Sequence, residues 1–122
     1  TVGAMFYRLT LQATPAVLVG VIMLTLINKE MLYMNNLEVA PHNYGADGKF
    51  DRVAGSLIAL TCLKSFELGR GAYTGYLSFD SKTELIELYQ ARYGATLAAG
   101  QKMFISPEAG KALIMEYLNI KL

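Results

Sequence analysis

The chain has 122 residues, with 11 Lys and Arg against 10 Asp and Glu, so its formal net charge is +1. That length holds one core and not two, and a near-neutral balance without a basic run gives no electrostatic case for nucleic acid, so none is expected as a partner. Cys62 is the single cysteine, which excludes an internal disulfide and a stapled secreted scaffold and points to a reducing, cytoplasmic setting.

The first predicted element is a strand over 5–11 (MFYRLTL), closed by Ala13-Thr14-Pro15. A second strand, 17–27, is apolar on both faces and therefore belongs inside a sheet. The longest apolar run, 16–27 (AVLVGVIMLTLI), has 12 residues. A membrane-crossing helix needs about 20. No basic segment precedes the run and no small-residue cleavage pattern follows it, so neither a membrane partner nor a signal peptide is expected. Asn28-Lys29 reads as a hairpin turn into a third strand, 31–39 (MLYMNNLEV).

Residues 40–51 (APHNYGADGKFD) are rich in Pro, Asn, Gly and Asp and read as a loop. A helix is predicted over 53–68. Val53, Leu57 and Leu60 form one apolar stripe and Ala59, Cys62, Leu63 and Phe66 another, so the helix should lie between two layers. Within it Cys62 reads as a small buried hydrophobe. Gly69 and Gly71 supply the stop. A fourth strand follows over 73–79 (YTGYLSF). Ser81-Lys82-Thr83-Glu84 has the form of a capping box, opening a helix that runs to Tyr93 and ends at Gly94. A fifth strand is centred on 103–105. Ser106-Pro107-Glu108 then opens a last helix, with proline at its first position, that ends near Leu118.

The order is β-β-β-α-β-α-β-α. It implies an α/β (α+β) fold with a mixed, largely antiparallel sheet of about five strands and three helices. The strand–helix–strand crossover should be right-handed and parallel. The hydrophobic fraction is 53% and the mean hydropathy +0.31. Both are high for a domain this small, so either a homo-oligomer such as a dimer, or a partner chain, covers apolar surface, or part of the domain is missing from this chain.

The segment 36–56 carries the chemistry. Small residues at 54–56, Ala-Gly-Ser, stand at the predicted start of the main helix. There they would let the backbone approach a ligand, while free amides and the helix dipole favour an anion such as pyrophosphate. Lys49 and Arg52 would add positive charge. An ordinary capped helix whose glycine packs on the sheet has the same look, so the feature alone does not decide. No His, Cys, Asp and Glu set has metal-ligand spacing, and no Ser-x-x-Lys or Gly-x-Ser-x-Gly element occurs, so metalloenzyme and hydrolase readings lack support and no metal is expected.

The run VGVIMLTLI–NKE–MLYMNNLEVAPHNYG, followed by VAGSLI, ELGRGAYTGYLSF and ELIELYQARYGA, resembles the cofactor-binding half of the GNAT superfamily of acyl-CoA-dependent N-acetyltransferases. In that family a β-hairpin ends in Leu-x-Val-x-Pro, here Leu37-Glu38-Val39-Ala40-Pro41. An Arg/Gln-x-x-Gly-x-Gly/Ala loop opens the main helix, here 49–54. A later helix carries a Leu-Tyr pair before a glycine, here Leu88-Tyr89 and Gly94. The sequence departs from the pattern at Lys49, where the family has Arg or Gln, and at Arg52, where it has Gly.

The resemblance spans about 17–105. It implies one domain over 1–122, lacking most of the usual N-terminal strand–helix elements, and acetyl-CoA (coenzyme A) as cofactor. Backbone groups of Leu37, Glu38 and Val39 would meet the pantetheine arm. Lys49, Arg52 and the amides of Val53, Ala54, Gly55 and Ser56 would hold the pyrophosphate. Tyr89 would protonate the leaving thiolate, although Ile86, Tyr89 and Tyr93 share a helical face and a core role fits Tyr89 equally well. Glu38 is the candidate general base for a small-molecule or peptide amine acceptor; a solvated strand-end charge is the plainer reading, and His42 has the same standing. The implied reaction is acetyl transfer to an amine by direct attack. The alternative is a non-catalytic CoA-binding or protein-interaction module of the same fold, which the two loop substitutions would suit.

Overall fold

The computed structural model describes residues 2–10, 18–39 and 49–122. The elements are β1 (Val2–Thr10), β2 (Leu18–Ile27), β3 (Met31–Val39), α1 (Lys49–Leu68), β4 (Leu77–Asp80), α2 (Ile86–Tyr93), β5 (Thr96–Ala99), β6 (Lys102–Ile105) and α3 (Pro107–Leu113), which runs on into a π-helical turn, Ile114–Leu118. The strands form one mixed sheet in the order β1-β2-β3-β4-β6-β5. Only β3 and β4 are parallel; the other neighbouring pairs are antiparallel. The expected α+β architecture is present, with six strands rather than about five. The difference comes from 96–105, which folds back on itself as a β5–β6 hairpin.

Local chemistry explains most element ends. Asn28 and Lys29 both have positive φ (53° and 60°), and Glu30 N–H donates to the Ile27 carbonyl at 3.0 Å. Two left-handed central residues make the tight turn whose twist matches an antiparallel hairpin. The Ser106 hydroxyl accepts from Ala109 N–H at 3.2 Å, with Pro107 opening α3. Gly94, at φ 69°, closes α2.

Several boundaries differ from those predicted, among them the start of β1, at Val2 rather than Met5. Tyr73 lies in a 3₁₀ turn, Gly71–Tyr73, and β4 begins only at Leu77. The capping box does not form. The Ser81 hydroxyl donates to the Lys82 carbonyl, a 3₁₀ turn fills Thr83–Leu85, and α2 starts at Ile86 without a side-chain cap. Finally, α1 begins at Lys49, four residues before the predicted start. The loop segment containing Pro41 and His42 lies outside the described residues, as do Leu11 and Val17.

The core lies between one face of the sheet and α1. Alternate residues of β2, β3, β4 and β6 point into it: Ile22 and Leu24, Leu32 and Met34, Leu77 and Phe79, Met103 and Ile105. Helix α1 answers with Ala54, Leu57, Ile58, Ala59 and Cys62, and its far side packs on α3 and the π-helical turn. It is therefore sandwiched, as its two stripes require. Each fully buried Leu or Ile contributes about 1.5–3 kcal/mol. Gly20 lets α1 come down on β2, because a β-carbon there would stand 2.7 Å from Leu57 Cδ1 and 3.0 Å from Val53 Cγ1.

Two irregularities set up the functional end of the sheet. Strands β3 and β4 pair only over Leu32–Leu77, Tyr33–Ser78 and Met34–Phe79. Beyond that point β3 continues to Val39 while β4 stops at Asp80, so the two strands part. The β2–β3 register also slips, from Met23–Asn36 to Leu24–Met34, leaving Asn35 as the extra residue of a β-bulge.

Candidate functional site

A cleft of about 390 Å³ opens where β3 and β4 part. Asn35, Asn36, Leu37 and Val39 of β3 form one wall; Phe79, Asp80, Ser81 and Lys82 form the other, and Leu85 and Tyr89 close the end. Asp80 is the one carboxylate among these residues and Lys82 the one cation. The volume falls within the range of small-ligand sites, about 300–1,000 Å³. The wall of β3 past Met34 has no partner strand from β4, so an extended ligand could add to it as a strand would.

Tyr89 lies half-buried at the end of the cleft, its ring 4.9 Å from Phe79 and 6.0 Å from Tyr93 between centroids. Burial pushes its phenol above the ordinary range, so the proton is retained at neutral pH. The stack continues from Tyr93 to Tyr117 at 6.4 Å, linking the cleft to the C-terminal turn.

Leu37 and Val39, two of the expected cofactor contacts, do line the cleft. Glu38 does not. With Leu37 and Val39 turned toward the core, Glu38 points the other way, is exposed, and accepts from Asn36 Nδ2 at 3.1 Å. The expected general base is therefore not brought to the cleft wall, because the period-2 alternation of the strand directs it elsewhere.

The expected amide cradle also changes. Since α1 starts at Lys49, the amides of Val53, Ala54, Gly55 and Ser56 fall within the helix's own hydrogen-bond ladder. The amides left over at the N-terminus belong to the first turn, 49–52. Lys49 is the first helical residue and Arg52 is exposed. Ala54 and Gly55 are buried. Gly55 is small for a packing reason: a β-carbon there would stand 2.1 Å from Tyr117 Cε1.

A cluster that the sequence did not reveal holds this first turn in place. Asp51 accepts from Arg92 Nη2 at 2.8 Å, from the Tyr93 hydroxyl at 3.1 Å and from the Tyr117 hydroxyl at 3.0 Å. Arg92 also reaches Glu116 at 2.7 Å, and its guanidinium lies over the Tyr117 ring at 5.2 Å. Burial alone would raise the Asp51 carboxyl, but donation from Arg92, Tyr117 and Tyr93 outweighs it and holds the group below the usual range. Burial, reinforced by the negative Asp51, pushes the Tyr93 and Tyr117 phenols upward. Asp51, Arg92 and Tyr117 are far apart in sequence, and no local pattern joins them.

The fold and its parted strands define the class: the chain has a GNAT-like α+β fold. Two solved structures share it. One is the KacTA–DNA complex, with a TM-score of 0.63 and 14% identity over 93% of this chain and 74% of that one. The other is a Tyr-to-Phe variant of the toxin AtaT, bound to the C-terminus of the antitoxin AtaR and to acetyl-CoA, with a TM-score of 0.61 and 12% identity over 90% of this chain and 72% of that one. No protein-family model matches the chain, and no curated protein matches it in sequence.

The KacTA complex overturns the exclusion of nucleic acid drawn from the charge balance, because a structure of this fold stands in an assembly with DNA. A net charge sums over a whole chain and carries no information about local potential or about a further protein in the assembly. Among the described residues no helix is long and apolar enough to cross a membrane.

Proposed function

We propose that this chain is an acyl-CoA-dependent N-acetyltransferase that works at the cleft between β3 and β4. One observation carries the reading: the strands part beside a cleft of about 390 Å³ that has a protonated phenol, Tyr89, at its end. A fold neighbour that holds acetyl-CoA supports it. The unpaired backbone edge at Leu37 and Val39 binds the amide-bearing pantetheine arm as an added strand. The first turn of α1, with Lys49 and Arg52, meets the pyrophosphate through its free amides and dipole.

Acetyl-CoA supplies an activated acyl group: the amine nitrogen bonds to the acyl carbon, the C–S bond breaks, and the sulfur leaves as a thiol. Tyr89 holds the proton that the departing sulfur takes up and regains one from solvent, which also receives the proton the amine sheds. The bulge at Asn35 interrupts the β2–β3 ladder beside the cleft, and a backbone N–H of β3 there would polarise the acyl oxygen. The walls hold both reactants in attack geometry.

The test is calorimetric titration with acetyl-CoA, followed by thiol release in the presence of an amine panel. Binding is expected at micromolar to millimolar ligand. Tyr89→Phe should leave the acetyl-CoA dissociation constant unchanged and lower turnover about 100-fold or more, as general-acid contributions run. No heat up to millimolar acetyl-CoA would refute the reading.

A further inference from the structure

We propose that Asp80, oriented by Tyr33, is the acceptor subsite, and that it selects a primary monoamine carried on an apolar body. This rests on the acetyltransferase reading above. Asp80 stands at the junction of two cavities. On one side is the cleft between β3 and β4, where it is the only acidic lining residue among the described residues. On the other is a hollow of about 260 Å³ on the opposite face of the sheet, lined by Ile27, Met31, Tyr33, Met103 and Phe104 among others. Phe79 also borders both, but its side chain is 2% exposed and points into the core. Asp80 is exposed and borders both spaces.

The alternation of β4 explains the position. Leu77 and Phe79 face α1, so Ser78 and Asp80 face away from it. Tyr33, paired in register with Ser78, lies on that same face, and its hydroxyl donates to Asp80 Oδ2. That bond fixes the carboxylate, and its second oxygen has no partner among the described residues. Burial, with Asp80 second, pushes the Tyr33 phenol up to about 12, so it remains a donor.

A cation held at Asp80 on the hollow side would pair with this carboxylate beside the cleft that Asp80 also lines. The Ile27, Met31 and Phe104 lining calls for an apolar remainder. Lys102, in register with Asp80 on β6, lines the same hollow and makes no ion pair with Asp80 among the described residues. Its charge opposes a second cation, which favours a monoamine over a polyamine.

The probe is 2-phenylethylammonium, titrated into the full chain and followed by NMR at Tyr33, Ser78 and Phe104. Neutral 2-phenylethanol and 1,4-diaminobutane serve as comparisons, and acetyl-CoA is titrated in parallel. Saturable shifts at those residues are expected for the ammonium. Asp80→Asn should weaken its binding at least 10-fold and Tyr33→Phe by a smaller factor, while the exposed-carboxylate control Glu84→Gln leaves it unchanged. The alcohol should bind the wild type no better than the ammonium binds Asp80→Asn, and the diamine should bind more weakly than the monoamine.

Equal ammonium affinity in Asp80→Asn, or shifts confined to other residues, would overturn the proposal. Diamine binding as tight as that of the monoamine would overturn the selection it claims. Acetyl-CoA binding with no ammonium binding would sink the subsite alone, whereas loss of acetyl-CoA binding would sink the acetyltransferase reading beneath it.

Discussion

Gly55→Ala asks whether the glycine of α1 is small for a ligand or for a side chain. The added β-carbon would meet Tyr117 Cε1 at 2.1 Å and Cζ at 2.2 Å. That is far inside van der Waals contact, so the ring must move. Forcing a methyl group into packed surroundings costs about 1–3 kcal/mol. Moving Tyr117 also breaks its hydrogen bonds to Asp51, a further loss of about 1 kcal/mol. Replacing glycine inside a helix returns about 1 kcal/mol through backbone entropy. The net expectation is a destabilisation of about 1–3 kcal/mol. Urea unfolding followed by circular dichroism measures it, since the chain has no tryptophan.

The decisive comparison is the same change in a Tyr117→Ala background. With no ring to clash, Gly55→Ala should become neutral or stabilise by up to about 1 kcal/mol. If it is harmless in the wild type, or equally costly without Tyr117, the packing account fails. If it weakens acetyl-CoA binding while leaving stability untouched, Gly55 serves the ligand after all.

Asp51→Asn should destabilise by about 1–2 kcal/mol at neutral pH, toward the low end for hydrogen bonds to a charge because the Asp51 side chain is 35% exposed. Because the folded Asp51 titrates below its unfolded value, its contribution is present above about pH 4 and is lost as the pH falls through the folded value. Urea midpoints of wild type and variant should therefore converge in acid; a constant gap would refute the assignment. Leu57→Ala, at a fully buried position beneath Gly20, should cost about 2–5 kcal/mol by the same unfolding assay. Ser106→Ala removes the acceptor for Ala109 N–H and should cost about 0.5–2 kcal/mol, with amide exchange accelerated in the first turn of α3.

The parts of the fold written in local chemistry were legible in the sequence. The double-faced apolarity of residues 18–27 announced an interior strand, Asn28-Lys29 a tight hairpin, and the two stripes of α1 a sandwiched helix. Boundaries failed where a polar side chain had two competing uses. Ser81 bonds to a neighbouring carbonyl instead of capping a helix, and Lys49-Phe50-Asp51-Arg52 is helical because distant partners on α2 and the C-terminal turn fix Asp51. No local pattern encodes that. The site was half legible for the same reason. Leu37, Val39 and Tyr89 follow from strand end and helix face, whereas Asp80 enters the cleft only because β4 stops while β3 continues. Glu38 shows the limit of reading by proximity: it neighbours Leu37 and Val39 in sequence, but the pleat turns it away from the cleft they line.

The burial of Cys62 has a practical consequence. It is 1% exposed, desolvation pushes its thiol up to about 12, and it is the chain's only sulfhydryl. Colorimetric thiol reagents should therefore ignore the native protein, so that released coenzyme A is counted against a silent background. Under denaturant the same reagent becomes a clock for unfolding, since labelling of that one sulfur then requires the packing of α1 against Gly110 of α3 to open.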